Sequence, residues 1–297
     1  MPAVSVIMPA YNAAQTISKA IDSVITQTYT DWELIICDDA STDSTVEVIL
    51  HYLSNPKIQL ICSSQNNGSA GRPRNQAINQ ASGKWIAFLD ADDIWLPSKL
   101  EKQIRYLQTH PEVVLVHCDF RLLKKGKLVR SRYLPQRKQD VEGDLSQRII
   151  WRNPIATPAV VLERTTLIKT GFFDESLSMG EDYDLWIRLA QQGPFGYLPE
   201  PLLIVKTHEG AGVFRSVENL QRVEKSLLEV SNRYTQNNTR AKHKSLARVY
   251  GIMGAIYLEN QNKSVASVKL KQALRHAVAA FDPYTLLVLK LLFHANT

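Results

Sequence analysis

The sequence predicts an α/β protein: a Rossmann-like mixed, mostly parallel sheet with helices on both faces, followed by an all-helical extension. Three observations carry this. Apolar runs alternate with helically periodic segments through the first hundred residues. The fourth run, Trp85-Ile86-Ala87-Phe88-Leu89, has no polar interruption, as in a strand buried on both faces. From about residue 216 onward only helical periodicity is left. The expected domains are therefore 1–215, divided into halves 1–100 and 101–215, and 216–297.

Val4-Ser5-Val6-Ile7-Met8 is the first strand, and Pro9-Ala10-Tyr11-Asn12 the loop after it, with Asn12 as a helix cap. Ile17, Ile21, Val24, Ile25 and Thr28 then recur at helical spacing. Glu33-Leu34-Ile35-Ile36-Cys37 is the second strand and ends in Asp38-Asp39. Ser41, Thr42, Asp43 and Ser44 supply caps for a helix whose apolar face is Val46, Ile49, Leu50 and Leu53. Ile58 to Cys62 is the third strand, Asn66-Asn67-Gly68-Ser69 a turn, and a helix from Pro73 to Ala81 stops at Gly83. After the fourth strand, Pro97 opens a helix to about Thr109 with Leu100, Ile104 and Leu107 inward.

Val113 to Cys118 is another strand. Residues 121–138 hold eight lysines and arginines and no acid, and with Gly126 at the turn they read as an exposed hairpin. Either it is a solvated charged ribbon, or it contacts an anionic acceptor or membrane surface. Asn153 to Pro158 is an irregular loop, Ala159 to Leu162 a short strand, and Gly171 to Glu175 a turn. Gly180-Glu181-Asp182-Tyr183-Asp184-Leu185-Trp186 opens a helix with three acids in its first turn, where the helix dipole favours them. Leu202 to Val205 is a strand running into Lys206-Thr207-His208. Four helices follow, near 217–235, 240–260, 263–280 and 283–293. The pair around Ala247, Gly251, Ala255 and Val265 to Ala273 resembles one helical hairpin of the tetratricopeptide sort, which alone makes no solenoid.

Composition narrows the class. Hydrophobic residues make up 44% and charged residues 22% of 297 positions, ordinary for a soluble globular protein. The net charge is +6, and from Ser216 onward 12 lysines and arginines face 5 acids. Cys37, Cys62 and Cys118 are odd in number and widely spaced, so they read as buried thiols in a reducing compartment. No signal peptide is evident, and no apolar run approaches the roughly 20 residues that span a bilayer. The expected place is the cytoplasm, or the periphery of the inner face of the membrane.

The chemistry gathers at the strand ends. In open α/β sheets ligands bind beyond the carboxyl ends of the strands, and here those ends are acidic. Asp38 and Asp39 follow the second strand; Asp90, Asp92 and Asp93 follow the fourth. Such crowding of like charges is unfavourable without compensation. A hard cation with oxygen ligands, Mg2+ or Mn2+, supplies it and brings phosphates along. Neither Gly-x-Gly-x-x-Gly nor Gly-x-x-x-x-Gly-Lys-Ser/Thr occurs. Phosphate would thus be held through metal and arginine rather than a glycine cradle.

Four segments together, Val4 to Asn12, Asp38-Asp39-Ala40-Ser41-Thr42-Asp43, Phe88-Leu89-Asp90-Ala91-Asp92-Asp93 and Gly180 to Trp186, resemble the landmarks of family 2 glycosyltransferases with the GT-A fold. The resemblance covers residues 3–210. It implies a nucleotide-binding half and an acceptor-binding half within 1–215. It implies that the loop of Pro9 and Tyr11 holds the nucleobase, with Tyr11 stacked on uracil or thymine. Asp39, beside Asp38, would accept the base N3–H, and Asp90 would reach the ribose. Asp92 would be the metal ligand, with His208 completing the site or touching the diphosphate. Arg74 matches an arginine near the base or phosphates, although Pro73 stands where the family often has alanine. Asp182 matches the catalytic base: an inverting transfer is a single displacement that needs one base for the acceptor hydroxyl. Trp95, Trp151 and Trp186 could stack on sugars, but core packing is the default.

The implied activity is transfer of a sugar from a nucleotide diphosphate sugar, UDP-linked above all, to a glycan or lipid-linked glycan acceptor in cell-surface polysaccharide synthesis. No nucleic-acid partner is expected. The rivals are a sugar nucleotidyltransferase, which should carry a glycine-rich basic loop after the first strand, and a non-catalytic nucleotide-sugar-binding scaffold. The basic helical tail suits homo-oligomer contacts, acceptor binding or peripheral membrane contact; a packed terminal helix is simpler.

Overall fold

The computed structural model describes residues 2–124, 127–130, 140–151, 153–207, 217–280, 288–289 and 291. The chain divides into two compact units. The first comprises Met1–Leu145, Pro154–Ser176 and Leu185–Glu209; the second Ser146–Asn153, Leu177–Asp184 and Gly210–Thr297.

Among the described residues the first unit is built on a nine-stranded mixed sheet. Its parallel part comes from β1 (Val4–Ala10), β2 (Trp32–Asp38), β3 (Ile58–Cys62) and β4 (Trp85–Phe88), in the order β3-β2-β1-β4. β1 pairs in parallel with β2 on one side and β4 on the other. The chain thus builds outward from β1 to one side, then crosses back to add β4 on the other. That reversal is the topological switch point, where a crevice opens beyond the strand ends. All four residues of β4 are buried, as its unbroken apolar run requires.

Beyond β4 the pairing turns mixed. β8 (Val161–Glu163) is antiparallel to both β4 and β6 (Leu115–Lys124). β9 (Phe195–Thr207) runs parallel to β6 and pairs at its far side with β5 (Ile94–Trp95). β7 (Lys127–Arg130) folds back on β6. β6 and β9 are both longer than the apolar runs suggest. Each continues through charged residues because one strand supplies the other's backbone hydrogen bonds, which no hydropathy pattern reveals. Of the hairpin expected at 121–138, residues 121–124 and 127–130 pair as the end of β6 and β7; residues 125, 126 and 131–138 lie outside the described residues.

Alternation splits the strands between two faces. Val4, Val6 and Met8 join Leu34 and Ile36 in a core closed by α1 (Ile17–Ile25) and α4 (Lys99–Thr109) through Ile17, Ile21, Val24, Leu100, Ile104 and Leu107. α3 (Gly71–Gln80) packs on β1 and β2 with Ala77 and Ile78 buried outside that core. Gly83 is not the stop of α3, whose C-cap is the extended Ala81. A Cβ at Gly83 would lie 2.7 Å from the Ser5 nitrogen, so the glycine permits close approach to β1. In α2 (Thr45–Leu50), Thr45 and Ile49 are buried while Leu50 is exposed, narrower than the apolar face expected. Cys37 and Cys118 are buried, but Cys62 is exposed at the end of the edge strand. α5 (Arg164–Thr170) follows β8 and ends at Gly171, whose φ of +87° suits glycine.

The division between units falls within α6 (Glu181–Leu189), after Asp184. The second unit gathers α7 (Val217–Thr235), α8 (Thr239–Glu259) and α9 (Lys263–Ala279). Asn238 and Asn262 cap α8 and α9 by accepting from the Ala241 and Val265 amides. A Cβ on Gly254 would meet Leu270 at 2.6 Å, so this glycine lets the α8–α9 hairpin pack tightly. The helix expected at 283–293 falls almost wholly outside the described residues. Among the described residues no helix is long and apolar enough to cross a membrane.

Candidate active site

Three adjacent parallel strands, β2, β1 and β4, carry Pro9, Tyr11, Asp38, Asp39, Asp90 and Asp92 at or just beyond their carboxyl ends. After β1, Tyr11 is 49% exposed, the largest aromatic face offered by that loop. Asn12 does not cap α1, which begins after Thr16. Asn12 takes a left-handed φ of +48° and joins two loops instead: its Oδ1 accepts from the Thr42 amide at 2.8 Å, and its own amide donates to Ser41 Oγ at 2.9 Å. The β1 and β2 loops are also tied by the Asp39 amide, which donates to the Ala10 carbonyl at 2.8 Å.

Asp38 and Asp39 are both buried. Asp38 holds its own turn, accepting from the Ser41 amide at 2.9 Å and the Ser41 hydroxyl at 2.5 Å. Asp39 accepts from the Asn67 amide at 3.0 Å and from Asn67 Nδ2 at 2.8 Å. Each carboxylate oxygen has two acceptor directions, so Asp39 can still take a base N–H. Asn67 was legible only as part of a turn; nothing in its spacing ties it to an acid 28 positions earlier.

After β4 the acids are arranged differently. Asp90 accepts from Arg74 Nη2 at 2.8 Å, with the Asp90 side chain 30% exposed. Arg74 is no surface arginine: it is buried, with its guanidinium 5.3 Å from the Phe173 ring centroid. Pro73 falls in the first turn of α3, where its missing N–H is not needed. The next residue, Asn75, clamps the turn that carries Phe173: it donates to the Phe173 carbonyl at 2.9 Å and accepts from the Phe173 amide at 3.0 Å. Asn75 and Phe173 are site-shaping residues that pattern reading missed, because their contact spans 98 positions.

Asp92 is half-buried and Asp93 buried. Asp93 accepts from the Lys206 amide at 3.1 Å. Burial, and after it the charges of Asp92 and Asp90, hold the Asp93 carboxyl well above the usual carboxylate range. Burial likewise pulls the Lys206 ammonium down, while Asp93 and Asp92 pull it back up. The crowding inferred from sequence thus has an electrostatic counterpart. The donor set of hard carboxylate oxygens fits Mg2+ or Mn2+. Among the described residues no three histidines, cysteines or acids form a metal cage. An ion that takes one or two carboxylates and fills its shell with phosphate oxygens and water needs no such cage.

Asp182 belongs to the second unit. It is half-buried in the first turn of α6, with Oδ1 accepting from the Tyr183 amide at 2.6 Å. Its neighbour Asp184 has a structural task, accepting from Tyr234 Oη at 2.8 Å and Arg233 Nη1 at 3.3 Å. Glu181 is buried. His208 lies outside the described residues. Trp95 and Trp186 are buried: the Trp95 indole donates to the Pro158 carbonyl at 3.0 Å, and Trp186 packs against Phe88 and Phe173. Both serve the core.

The family model described as Glycosyl transferase family 2 matches residues 5–163, more than half of the chain. The chain belongs to this family. Among its glycosyltransferase relatives is the UDP-Glc:alpha-D-GlcNAc-diphosphoundecaprenol beta-1,3-glucosyltransferase WfgD of Escherichia coli, 37% identical over 187 residues, or 63% of this chain and 69% of WfgD. Against uncharacterized glycosyltransferases from several Rickettsia species the chain spans only about a third of the relative's length. Two solved glycosyltransferases share the fold. TarS of S. aureus, in complex with UDP-GlcNAc, has a TM-score of 0.70 at 18% identity over 98% of this chain and 88% of that one. The mannosyltransferase PcManGT of Pyrobaculum calidifontis, in complex with GDP-Man and Mn2+, has a TM-score of 0.64 at 20% identity over 97% and 79%. The GT-A fold expected from four short motifs, with the helical C-terminal region expected from periodicity, is therefore the fold of this glycosyltransferase.

Proposed function

We infer that this glycosyltransferase moves a hexose from a UDP-sugar to a lipid-linked glycan acceptor in cell-surface polysaccharide synthesis, with inversion at the anomeric carbon. One observation carries the reading: two acidic strand ends lie on either side of β1 in a family 2 sheet, one hydrogen-bonded to a fixed asparagine and the other gathering Asp90, Asp92 and buried Asp93 within four positions. The donor and acceptor classes draw on the name of WfgD.

Residues 1–100 serve as the nucleotide-binding half and 101–215 as the acceptor half, with 216–297 as the helical extension. Tyr11 stacks on the uracil, Pro9 near the end of β1 leads the chain to it, and Asp39 accepts the N3–H that uracil offers, with Asp38 holding the turn. Arg74 orients Asp90 toward the ribose. Asp92, with His208, would hold Mg2+ or Mn2+, which when bound neutralises charge on the departing diphosphate. Asp182 takes the proton from the acceptor hydroxyl, as a single displacement requires.

A thermal-shift screen of nucleotide sugars with and without Mn2+ tests this. UDP-sugars, UDP-glucose first, should raise the melting temperature only with the ion, and a polyprenyl-diphosphate GlcNAc acceptor should release UDP. Stabilisation by GDP- or dTDP-sugars in preference would overturn the donor. Binding without UDP release across a broad acceptor panel would favour a scaffold.

A further inference from the structure

The side chain of Asp39 is aimed by Asn67, and Asn67 is itself aimed. Its amide donates to Asp39 Oδ2 at 3.0 Å, and its Nδ2 donates to Asp39 Oδ1 at 2.8 Å. The second contact needs the carboxamide nitrogen turned toward Asp39. The flipped carboxamide would set oxygen against oxygen. Two further contacts fix the choice. Nδ2 gives its other hydrogen to the Gln65 carbonyl at 3.1 Å, and Asn67 Oδ1 accepts from Arg72 Nη1 at 2.7 Å.

Arg72 stands where local physics disfavours it. It lies in the first turn of α3 with Arg74, and that turn carries no acid. The helix dipole opposes cations there. Arg74 offsets this by meeting Asp90 at 2.8 Å. Among the described residues Arg72 has no carboxylate so close. Its charged neighbour Glu175 lies 4.0 Å from Arg72 Nε, with the two side chains 42% and 48% exposed, and Glu175 already accepts from Asn75 Nδ2 at 2.8 Å. An ion pair so long and so solvated contributes little. What Arg72 gains from its place is the short bond to Asn67. A residue that goes against its local preference for one polar contact marks a functional position.

We propose that Arg72 is a positioning residue for nucleobase selection: it turns the Asn67 carboxamide so that Asp39 presents an acceptor to a ring N–H, which favours uracil over cytosine. This rests on the reading of Asp39 as the acceptor of the uracil N3–H. Cytosine has a lone pair at N3 where uracil has a hydrogen, so a fixed carboxylate attracts one base and repels the other. Arg72 acts through Asn67 and touches neither base nor phosphate.

Calorimetric titration of the full chain with UDP and with CDP, both in Mn2+, tests this. The wild type should bind UDP more tightly than CDP. Arg72→Met should weaken UDP about fivefold, the worth of one hydrogen bond, without weakening CDP. In the Asn67→Ala background the same substitution should cost nothing further, because the residue it acts through is gone. Circular dichroism and melting temperature establish that each variant is folded; Arg72→Gln, which stops short of Asn67, repeats the comparison should Arg72→Met not fold. Equal weakening of UDP and CDP would make Arg72 an attractor of the diphosphate and overturn the proposal. Unchanged UDP affinity in Arg72→Met, or a further loss on top of Asn67→Ala, would overturn it as well. A wild type with no preference for UDP over CDP would overturn the reading of Asp39, and the proposal with it.

Discussion

Two loops at one edge of the sheet carry neighbouring aspartates, and the chain treats them in opposite ways. After β2, Asp38 and Asp39 are buried but met by neutral donors from Ser41 and Asn67. After β4, burial first and then the charges of Asp92 and Asp90 raise the proton affinity of Asp93, and Arg74 hydrogen-bonds Asp90. The first end is a finished hydrogen-bonding surface that suits a neutral heterocycle. The second gathers like charges and suits a cation with its phosphates. Adjacent acids in a sequence look alike; the donors that reach them set them apart.

The strongest way to break this contrast is Asp92→Asn. If the β4 end is the ion site, turnover should fall on the order of a thousandfold, the several kcal/mol that a metal's charge neutralisation supplies. The Mn2+-dependent rise in melting temperature with UDP should vanish. A chelator should do the same to the wild type. An Asp92→Asn protein that still requires Mn2+ to bind UDP would place the ion elsewhere.

Asp182→Asn separates chemistry from binding. The turnover rate should drop by about two to four orders of magnitude, the usual contribution of a positioned base. UDP binding and its ion dependence should persist. Wild-type turnover by this variant would remove Asp182 from the mechanism.

An acid scan sharpens the comparison only once a buried titration elsewhere in the first unit is accounted for. His117 on β6 is fully buried, with Nε2 2.6 Å from the Val141 carbonyl. Burial pushes its pKa from 6.5 down to about 4. The unfolded chain therefore binds this proton first, so stability should decline as pH falls from 6.5 to about 4. The full loss is on the order of 3 kcal/mol. His117→Gln keeps a donor for Val141 and should flatten that part of the pH profile of chemical denaturation. An unchanged profile would show that the strand-end acids dominate it.

The parallel half of the fold was legible because each signal was local. Trp85 to Leu89 reads as a buried strand from five consecutive letters, and the β4 acids stand within four positions of one another. What was hidden depended on distant partners. Cys62 ends an apolar run yet is exposed, because β3 is an edge strand. Leu50 has helical spacing but is exposed, with no element among the described residues covering it. That Arg74 is buried could not be read locally, because Phe173, whose ring its guanidinium meets, lies 99 positions later. The roles of Asn67 and Asn75 arise in the same way. A glycine before an apolar run reads as a helix stop, whereas Gly83 answers the backbone of Ser5 on a neighbouring strand.

Asn67→Ala tests the β2 end. Removing its side chain leaves Asp39 with the backbone amide alone of the two Asn67 donors, and a buried acceptor short of a partner costs about 1–3 kcal/mol. Donor affinity should weaken about tenfold while the Mn2+ requirement stays as in the wild type. If the ion requirement changes instead, the two strand ends are not separate devices.

Ser41→Ala should have the smallest effect and discriminates most finely. The Ser41 amide would still donate to Asp38, so only the hydroxyl contact is lost, about 1 kcal/mol of stability. Ser41 Oγ also accepts from the Asn12 amide, so part of that loss falls on the junction between the β1 and β2 loops. If Asp38 only supports the turn, the melting temperature should fall by a few degrees while the ion dependence and the pH profile of turnover remain those of the wild type. A shift in the pH profile would mean that Asp38 meets the ligand directly, and the two ends of the sheet would then differ less than their hydrogen bonds suggest.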